Sequence, residues 1–170
     1  MEEYLQLIST NGSRDGSGKL TVIGTFVIYN LPNRECGTDK YHGDLENSAA
    51  GEASYKEFID MIKAAVSKYP DVHVAFIIEP EAITNMVHYK NNEHCKGETS
   101  DRYKSLIKYA ITTLTGMDNV HLYLDAGDSG TLGNDDKISD VAKIVTDIYI
   151  GTLKSPNLRG VRTPFSHCPN

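Results

Sequence analysis

Carboxylate side chains follow three separate apolar segments of the chain, and they are the groups best suited to acid–base or metal chemistry. The most distinctive are Glu79 and Glu81, which are separated by a proline and come directly after the apolar run 74–78. Because proline has no N–H for a sheet ladder, it ends the strand that this run predicts. Glu35 and Asp125 follow two other segments rich in β-branched and aromatic residues. Each strand would therefore place an acid at its carboxyl end, where α/β folds hold their active sites.

Acids grouped in this way are compatible with two kinds of site. In glycoside hydrolysis, a carboxylic acid with a raised pKa protonates the leaving oxygen while a second carboxylate assists. Alternatively, oxygen ligands from Glu81, Asp125 and Asp128 could hold a divalent metal ion. The histidines form no HExxH pair, and no dinucleotide-binding glycine fingerprint follows the first strand segment. The residue types alone leave the hydrolytic and the metal-binding interpretations open.

The segments that carry these acids alternate between strand and helix patterns. Runs of β-branched and aromatic residues predict strands over 19–29, 72–78, 120–124 and 158–161. Apolar residues at helical spacing predict helices over 2–9, 55–69, 101–114 and 136–153. Such alternation is typical of right-handed βαβ units, so we predict an α/β fold with parallel strands in a single domain, 1–170. The carboxyl ends of parallel strands lie side by side, so Glu35, Glu81 and Asp125 are expected to share one rim.

Composition and charge argue against several classes of protein. The 170 residues carry a formal net charge of −6 with no basic cluster, which disfavours nucleic acid or an anionic membrane as a partner. No apolar run approaches the ~18–20 residues of a membrane helix. The first residues are acidic and lack the basic and apolar regions of a signal peptide, so we expect none in this sequence. The three cysteines, Cys36, Cys95 and Cys168, match no zinc-binding spacing.

Four segments of the chain form an ordered set of motifs: 27–36 (VIYNLPNREC), 77–81 (IIEPE), 123–133 (YLDAGDSGTLG) and 155–160 (SPNLRG). They resemble the signature segments of glycoside hydrolase family 6, the cellobiohydrolase II and endoglucanase family. That family has V-x-Y-x-x-P-x-R-D-C, I-E-P-D, Y-L-D-A-G-H-x-G-W-L-G and S-P-x-x-L-R-G at these places. The order of the motifs over nearly the whole chain makes the resemblance specific.

The resemblance implies a fold, a reaction and roles for named residues. The fold would be a distorted α/β barrel, of which this chain supplies about half. The reaction would be inverting hydrolysis of β-1,4-glucan, with β-glucan or a cello-oligosaccharide as ligand. Glu81 matches the general acid, and Glu35 matches the acid that raises its pKa and helps to position water. Asp125 matches a residue that stabilises the site, and Tyr29 a tyrosine near the sugar at the cleavage point. Glu79 is expected to support the site, and neither a metal nor a cofactor is expected.

Two of the cysteines also match the family pattern. Cys36 and Cys95 correspond to a family disulfide. Such a bond would stabilise the fold by about 4 kcal/mol in the loop-entropy model. Because disulfides persist in oxidising compartments, the pair implies a secreted, extracellular protein.

The chain departs from the family pattern at positions that matter for catalysis. Glu35 and Glu81 stand where the family has aspartate. The extra methylene would move each carboxylate by roughly an ångström, and such a misplacement can cost on the order of 100-fold in rate. Thr131 replaces a tryptophan that stacks on the substrate, Asp128 replaces a histidine, and the chain contains no tryptophan at all. The family also continues beyond the fourth motif into the second half of its barrel, which carries further substrate-binding residues.

These departures leave a second interpretation open. The chain could be an inactive, truncated relative that binds carbohydrate or a protein partner. Half of a barrel has open sheet edges and an uncovered apolar face, so we also expect self-association through those edges. Turnover of β-glucan would favour the hydrolase, whereas binding of oligosaccharide without turnover would favour the inactive relative.

Overall fold

The computed structural model of the chain describes residues 1–38, 43–152 and 157–162, and only the backbone of residues 161 and 162. Cys168 and residues 155–156 of the fourth motif lie outside the described residues. In chain order the elements are α1 (Glu2–Asn11), β1 (Ile23–Ile28), α2 (Ala49–Ser67), β2 (His73–Ile78), α3 (Ala82–His88), α4 (Glu98–Leu114), β3 (Val120–Asp125), α5 (Ser129–Leu132), α6 (Asp135–Gly151) and β4 (Leu158–Arg162).

The strands form one parallel sheet in the order β1-β2-β3-β4, which confirms the predicted α/β fold. Ile28 pairs with Ile78, and Ile78 pairs with Leu124, so the first three strands end at the same level. The ladder continues one step further, because the Glu79 N–H donates to the Ile28 carbonyl at 2.8 Å. The residues that follow these strands therefore meet at one rim of the sheet.

One face of the sheet is packed against the helices. Alternate residues of the two central strands point into this layer and are buried, namely Val74, Phe76, Ile78, Val120, Leu122 and Leu124. The period-2 alternation follows from the pleat of a strand, and fully burying each such side chain contributes about 1.5–3 kcal/mol. Helices α2 and α4 contact each other above β2, and α6 packs beside α4. This core holds the strand ends, and hence the acids, in fixed positions.

The opposite face of the sheet carries apolar side chains that the described residues do not cover. Ile23 and Val27 of β1 are 57% and 56% exposed. Ile77 of β2 and Tyr123 of β3 lie on the same face and are partly exposed. Parallel sheets are normally covered on both faces, so this face is an unusual surface for an isolated sheet. Strands β1 and β4 are the two outer strands, and each has an open edge in the described part of the chain.

Some predicted boundaries were wrong. The strand predicted over 19–29 joins the sheet only as β1, because Leu20 forms a separate antiparallel bridge with Arg14. Helix α2 begins before the predicted segment 55–69, since the Ser48 hydroxyl caps it by accepting a backbone N–H. The short helix α5 has no counterpart among the predicted elements, because so few residues carry no usable periodicity. Among the helices in the described ranges, none is long and apolar enough to cross a membrane.

Candidate active site

The aligned strand ends bring the predicted acids to one rim of the sheet. Glu35 lies in the turn after β1, Glu81 directly precedes α3, and Asp125 is the last residue of β3. The charges of Glu35 and Asp125 both act on the Glu81 carboxyl, as does the charge of Asp128. The three residues assigned to catalysis from sequence are therefore electrostatic neighbours, as the strand pattern predicted.

The clustering affects the titration of Glu81. Its pKa is raised above the usual value for a glutamate, first by partial desolvation and then by the negative charges of Glu35, Asp125 and Asp128. Like charges favour the protonated form, since ionisation adds a further negative charge to the group. The side chain is nevertheless exposed to solvent, as a proton donor to a bound substrate must be. A solvent-accessible carboxyl with a raised pKa is suited to general acid catalysis.

Tyr29 and Glu35 form a hydrogen-bonded pair beside Glu81. The Tyr29 hydroxyl donates to Glu35 Oε1 at 2.9 Å. Burial, followed by this bond to a carboxylate, raises the pKa of Tyr29, so the phenol stays protonated and remains a donor. Arg34 lies over the Tyr29 ring, 4.9 Å from its centre, and donates to the Tyr29 carbonyl at 2.6 Å. Arg34 thus fixes Tyr29 in two ways, by a cation–π contact with its ring and by a hydrogen bond to its backbone carbonyl.

A disulfide and a buried tyrosine hold the turn that carries Glu35. Cys36 is bonded to Cys95, with a Cα–Cα distance of 5.1 Å, and both residues are 1% exposed. The Tyr103 hydroxyl of α4 donates to the Asn33 carbonyl at 2.5 Å, and the Asn33 amide donates to the His94 carbonyl at 2.8 Å. The turn is therefore attached to a segment about sixty residues further along the chain.

Asp125 shapes the loop that follows β3. It is 1% exposed, and its Oδ1 accepts a hydrogen bond from the Gly127 N–H at 2.8 Å. Gly127 has φ +108°, a left-handed conformation that favours glycine, and a Cβ there would lie 2.8 Å from the Thr84 hydroxyl. The buried carboxylate therefore both contributes charge to the rim and holds the loop close to α3.

Four residues beside the rim form a polar network that sequence patterns did not predict. The Asp128 side chain caps α5 by accepting from the Thr131 N–H at 2.8 Å and from the Thr131 hydroxyl at 2.7 Å. Because that hydroxyl gives its proton to Asp128, His88 Nε2–H donates to it, at 2.7 Å. Lys137 Nζ lies 3.5 Å from His88 Nδ1, the ring nitrogen that is then free to accept. Thr131, which stands where the family motif has a tryptophan, is 0% exposed. Its side chain therefore offers no surface on which a sugar could stack.

The metal-binding alternative gains no support from this arrangement. Across residues 1–38, 43–152 and 157–162, no group of three or more His, Cys, Asp or Glu side chains is placed to hold a metal ion. Asp128 is engaged by Thr131, which lowers the pKa of Asp128 through its hydroxyl bond, and Asp125 by Gly127.

Comparisons with known proteins agree with the motif analysis. The model of glycosyl hydrolases family 6 matches residues 1–167. The chain is 36% identical, over 140 residues, to 1,4-beta-D-glucan cellobiohydrolase CEL6A of Podospora anserina, a match that covers 82% of this chain and 28% of that protein.

Solved structures are similar over almost the entire chain. Cellobiohydrolase II (Cel6A) from Humicola insolens, in complex with glucose and cellotetraose, matches with a TM-score of 0.85 at 28% identity. The match covers 99% of this chain and 47% of that one, in agreement with the predicted half of a barrel. Endoglucanase Cel6B from Humicola insolens matches with a TM-score of 0.76 at 32% identity, over 86% of this chain and 44% of that one.

The chain thus spans less than a third of the curated relative and less than half of either solved structure. The match to the family's sequence model, over residues 1–167, includes all four motifs. The chain belongs to glycosyl hydrolase family 6.

Proposed function

We propose that the chain forms the acid-bearing part of a glycoside hydrolase catalytic domain that cleaves β-1,4-glucan with inversion, with Glu81 as the general acid. One observation carries the proposal: Glu81 is an exposed carboxyl whose pKa is raised by partial desolvation and by the charges of Glu35, Asp125 and Asp128. The relatives described above are a cellobiohydrolase and an endoglucanase, which supports a cellulose-type substrate.

The proposed reaction uses the rim acids in distinct roles. Glu81 transfers its proton to the glycosidic oxygen as the bond from that oxygen to the anomeric carbon breaks. Water adds to the opposite face of the sugar and loses its proton to a base. Glu35, held by the Tyr29 hydroxyl, keeps negative charge beside Glu81 and so favours its protonated form before the transfer. Asp125 contributes charge in the same way and stabilises the positive charge that develops on the sugar ring.

The two glutamates that stand where the family motifs have aspartate, Glu35 and Glu81, also have an unusual backbone conformation. Glu35 and Glu81 have φ +60° and +65°, in the left-handed region that is unfavourable for residues with a side chain. Each of these residues thus combines a longer side chain with a strained backbone. We propose that the rim keeps the chemistry of carboxyl groups but reduces the rate, because a misplaced acid can cost on the order of 100-fold.

The ligand and the cellular location follow from the same features. The structure of cellobiohydrolase II from Humicola insolens is a complex with glucose and cellotetraose. We propose a cello-oligosaccharide as the ligand of this rim. Contact with the sugar would come from Tyr29, Glu35 and Glu81, because Thr131 and Asp125 are buried and the chain has no tryptophan. The Cys36–Cys95 disulfide supports an oxidising, extracellular environment.

The direct test is turnover of a soluble β-glucan by the purified chain. We expect release of reducing ends, measured by a reducing-sugar assay, and binding of cellotetraose, measured by calorimetry. Binding without turnover would instead support the inactive carbohydrate-binding relative. Absence of both would contradict each of these functions for this chain.

Replacing Tyr29 with phenylalanine is expected to lower the rate of hydrolysis by roughly 10-fold or more. The change removes a hydrogen bond to a charged partner, and such bonds contribute about 1.5–3 kcal/mol. A matched control is Tyr109→Phe, since the Tyr109 hydroxyl also donates to a carboxylate, Asp60, at 2.9 Å and 3.0 Å, but lies between α2 and α4. Equal rates for the two variants would show that the Tyr29–Glu35 pair does not contribute to catalysis.

The uncovered sheet face and open edges should make the chain associate with a second copy of itself. Ile23 and Val27 lie on an outer strand and are more than half exposed, and Val27 borders an apolar pocket formed with α1 and α2. Analytical ultracentrifugation is expected to give a mass that rises with concentration above the 18.8 kDa of one chain. The variant Ile23→Lys/Val27→Lys should shift the chain to monomer, because charges on an edge strand oppose pairing.

A control for this variant is Met61→Lys, which places the same charge on an exposed apolar position of α2, away from the sheet. It should leave the association unchanged. A constant mass of one chain at all concentrations would rule out self-association through these edges.

A further inference from the structure

Glu79 is a fully buried acid at the rim that the proposed reaction does not use. It is 1% exposed and shares a small pocket with Tyr29, Glu35 and Tyr103. Its carboxylate accepts the Asn30 N–H, at 3.1 Å from Oε1 and 3.2 Å from Oε2, and the Leu31 N–H at 3.3 Å. These donors belong to the backbone that continues from β1. Glu79 therefore joins the end of β2 to the turn 29–35, which carries both Tyr29 and Glu35.

Charged and titratable groups from three neighbouring elements face Glu79. Tyr55 of α2 and Tyr103 of α4 both have pKa values raised by burial and by the Glu79 charge. Burial raises the Glu79 pKa to about 7, although the Asn30 N–H, the Tyr55 hydroxyl, the Leu31 N–H and, least of all, the charge of Arg34 in the turn 29–35 favour the ionised form. The Tyr55 hydroxyl is fully buried, and no hydrogen bond of normal geometry reaches it from the described residues. Glu79 is the carboxyl close enough for its charge to raise the pKa of this hydroxyl. A proton on Glu79 would thus have Tyr55 as a neighbouring acceptor.

The backbone on both sides of this contact is strained. Glu79 itself has φ +45°, and Glu81, two residues later, has φ +65°. In the facing turn, Asn33 and Glu35 have φ +58° and +60°. Residues held in this region cost about 1–3 kcal/mol each and persist only where the surroundings over-determine them. The hydrogen bonds from Asn30 and Leu31 to Glu79 join the first of these segments to the start of the turn that carries the second.

We propose that Glu79 is a positioning residue whose protonation state controls how firmly the turn 29–35 is held against Glu81. An ionised carboxylate accepts from both N–H groups with charge-assisted bonds, whereas a protonated one has fewer free lone pairs and weaker bonds. Gain or loss of one buried proton therefore changes the anchoring of Tyr29 and Glu35. The link to the rate of hydrolysis rests on the proposed function, but the link between Glu79 and the turn does not.

The structural part of the inference is tested by NMR without any substrate. The amide signals of Asn30 and Leu31, and the side-chain carboxyl carbon of Glu79, are followed in the wild-type chain between pH 4.5 and 8.5. We expect all three to titrate with one common midpoint. The Glu79→Gln variant should abolish the titration of both amides, because its neutral amide keeps the shape of the protonated acid.

The matched control is Glu81→Gln, which removes a charge two residues away but should leave the Asn30 and Leu31 titration in place. Amides that do not follow the Glu79 carbon in the wild-type chain would overturn the inference, even if the Glu79→Gln variant failed to fold. Amides that titrate unchanged in Glu79→Gln would also overturn it.

The catalytic consequence is measured separately as the pH profile of β-glucan hydrolysis. Above the Glu79 midpoint, where the wild-type carboxylate is ionised, Glu79→Gln should lower kcat by roughly 10-fold or more with KM little changed. Below that midpoint the two kcat values should converge, so the variant should lose the part of the pH profile that follows the Glu79 midpoint. Common titration of the amides without any hydrolysis would contradict the proposed function and leave the role of Glu79 in the turn supported. Hydrolysis in a chain whose amides do not follow Glu79 would overturn only the inference about Glu79.

Discussion

Glu81→Gln is expected to lower the rate of β-glucan hydrolysis by roughly 100- to 10,000-fold, the usual contribution of a general acid. Glutamine keeps the size of the side chain and its position before α3 but has no proton of suitable acidity to give to the leaving oxygen. The measurement is the initial rate of reducing-end release by the wild-type chain and the variant at equal concentration. A surface control is Glu93→Gln, since the Glu93 side chain is 80% exposed and pairs with Lys96.

The pH dependence provides a second check on the same residue. A general acid must be protonated, so the rate should fall as the pH rises through the pKa of Glu81. Because partial desolvation and the charges of Glu35, Asp125 and Asp128 raise that pKa, the fall should lie above the usual glutamate value of about 4.3. Equal rates for Glu81→Gln and the wild-type chain, or a rate that rises through this range, would contradict the assignment of Glu81.

Removing the Cys36–Cys95 disulfide is expected to lower the free energy of unfolding by about 4 kcal/mol. The bond closes a loop across 59 positions, and its loss increases the conformational entropy of the unfolded chain. Both cysteines are changed to serine, and denaturant unfolding is compared with that of the wild-type chain. Because the bond also holds the turn that carries Glu35, we expect the rate of β-glucan hydrolysis to fall together with stability.

The control for the double variant is Cys168→Ser, which makes the same substitution at the third cysteine of the chain and leaves the Cys36–Cys95 pair intact. Its unfolding midpoint should equal that of the wild-type chain. A double variant that unfolds at the wild-type midpoint would show that the packing of Tyr103 against the turn is sufficient to hold it.

Much of the fold was predictable because the relevant signals are local. Periodicity separates strands from helices within one segment, and Pro80 ends β2 whatever lies around it. The parallel order of the strands follows from their alternation with helices, and from that order follows the meeting of Glu35, Glu81 and Asp125 at one rim. Helix starts were less predictable, since a cap such as Ser48 precedes the first periodic apolar residues of its helix.

The sequence by itself determined the fold class, the family and the set of rim acids, because residue type, order and spacing are enough to specify them. Only the tertiary structure decided what each acid touches. Glu79 and Asn30 are 49 positions apart, so the burial of this acid and its hold on the turn 29–35 depend on how β1 and β2 pair. Thr131 is likewise hidden because His88, 43 positions away, packs onto it. Such contacts depend on packing between distant segments, which no local pattern in the sequence encodes.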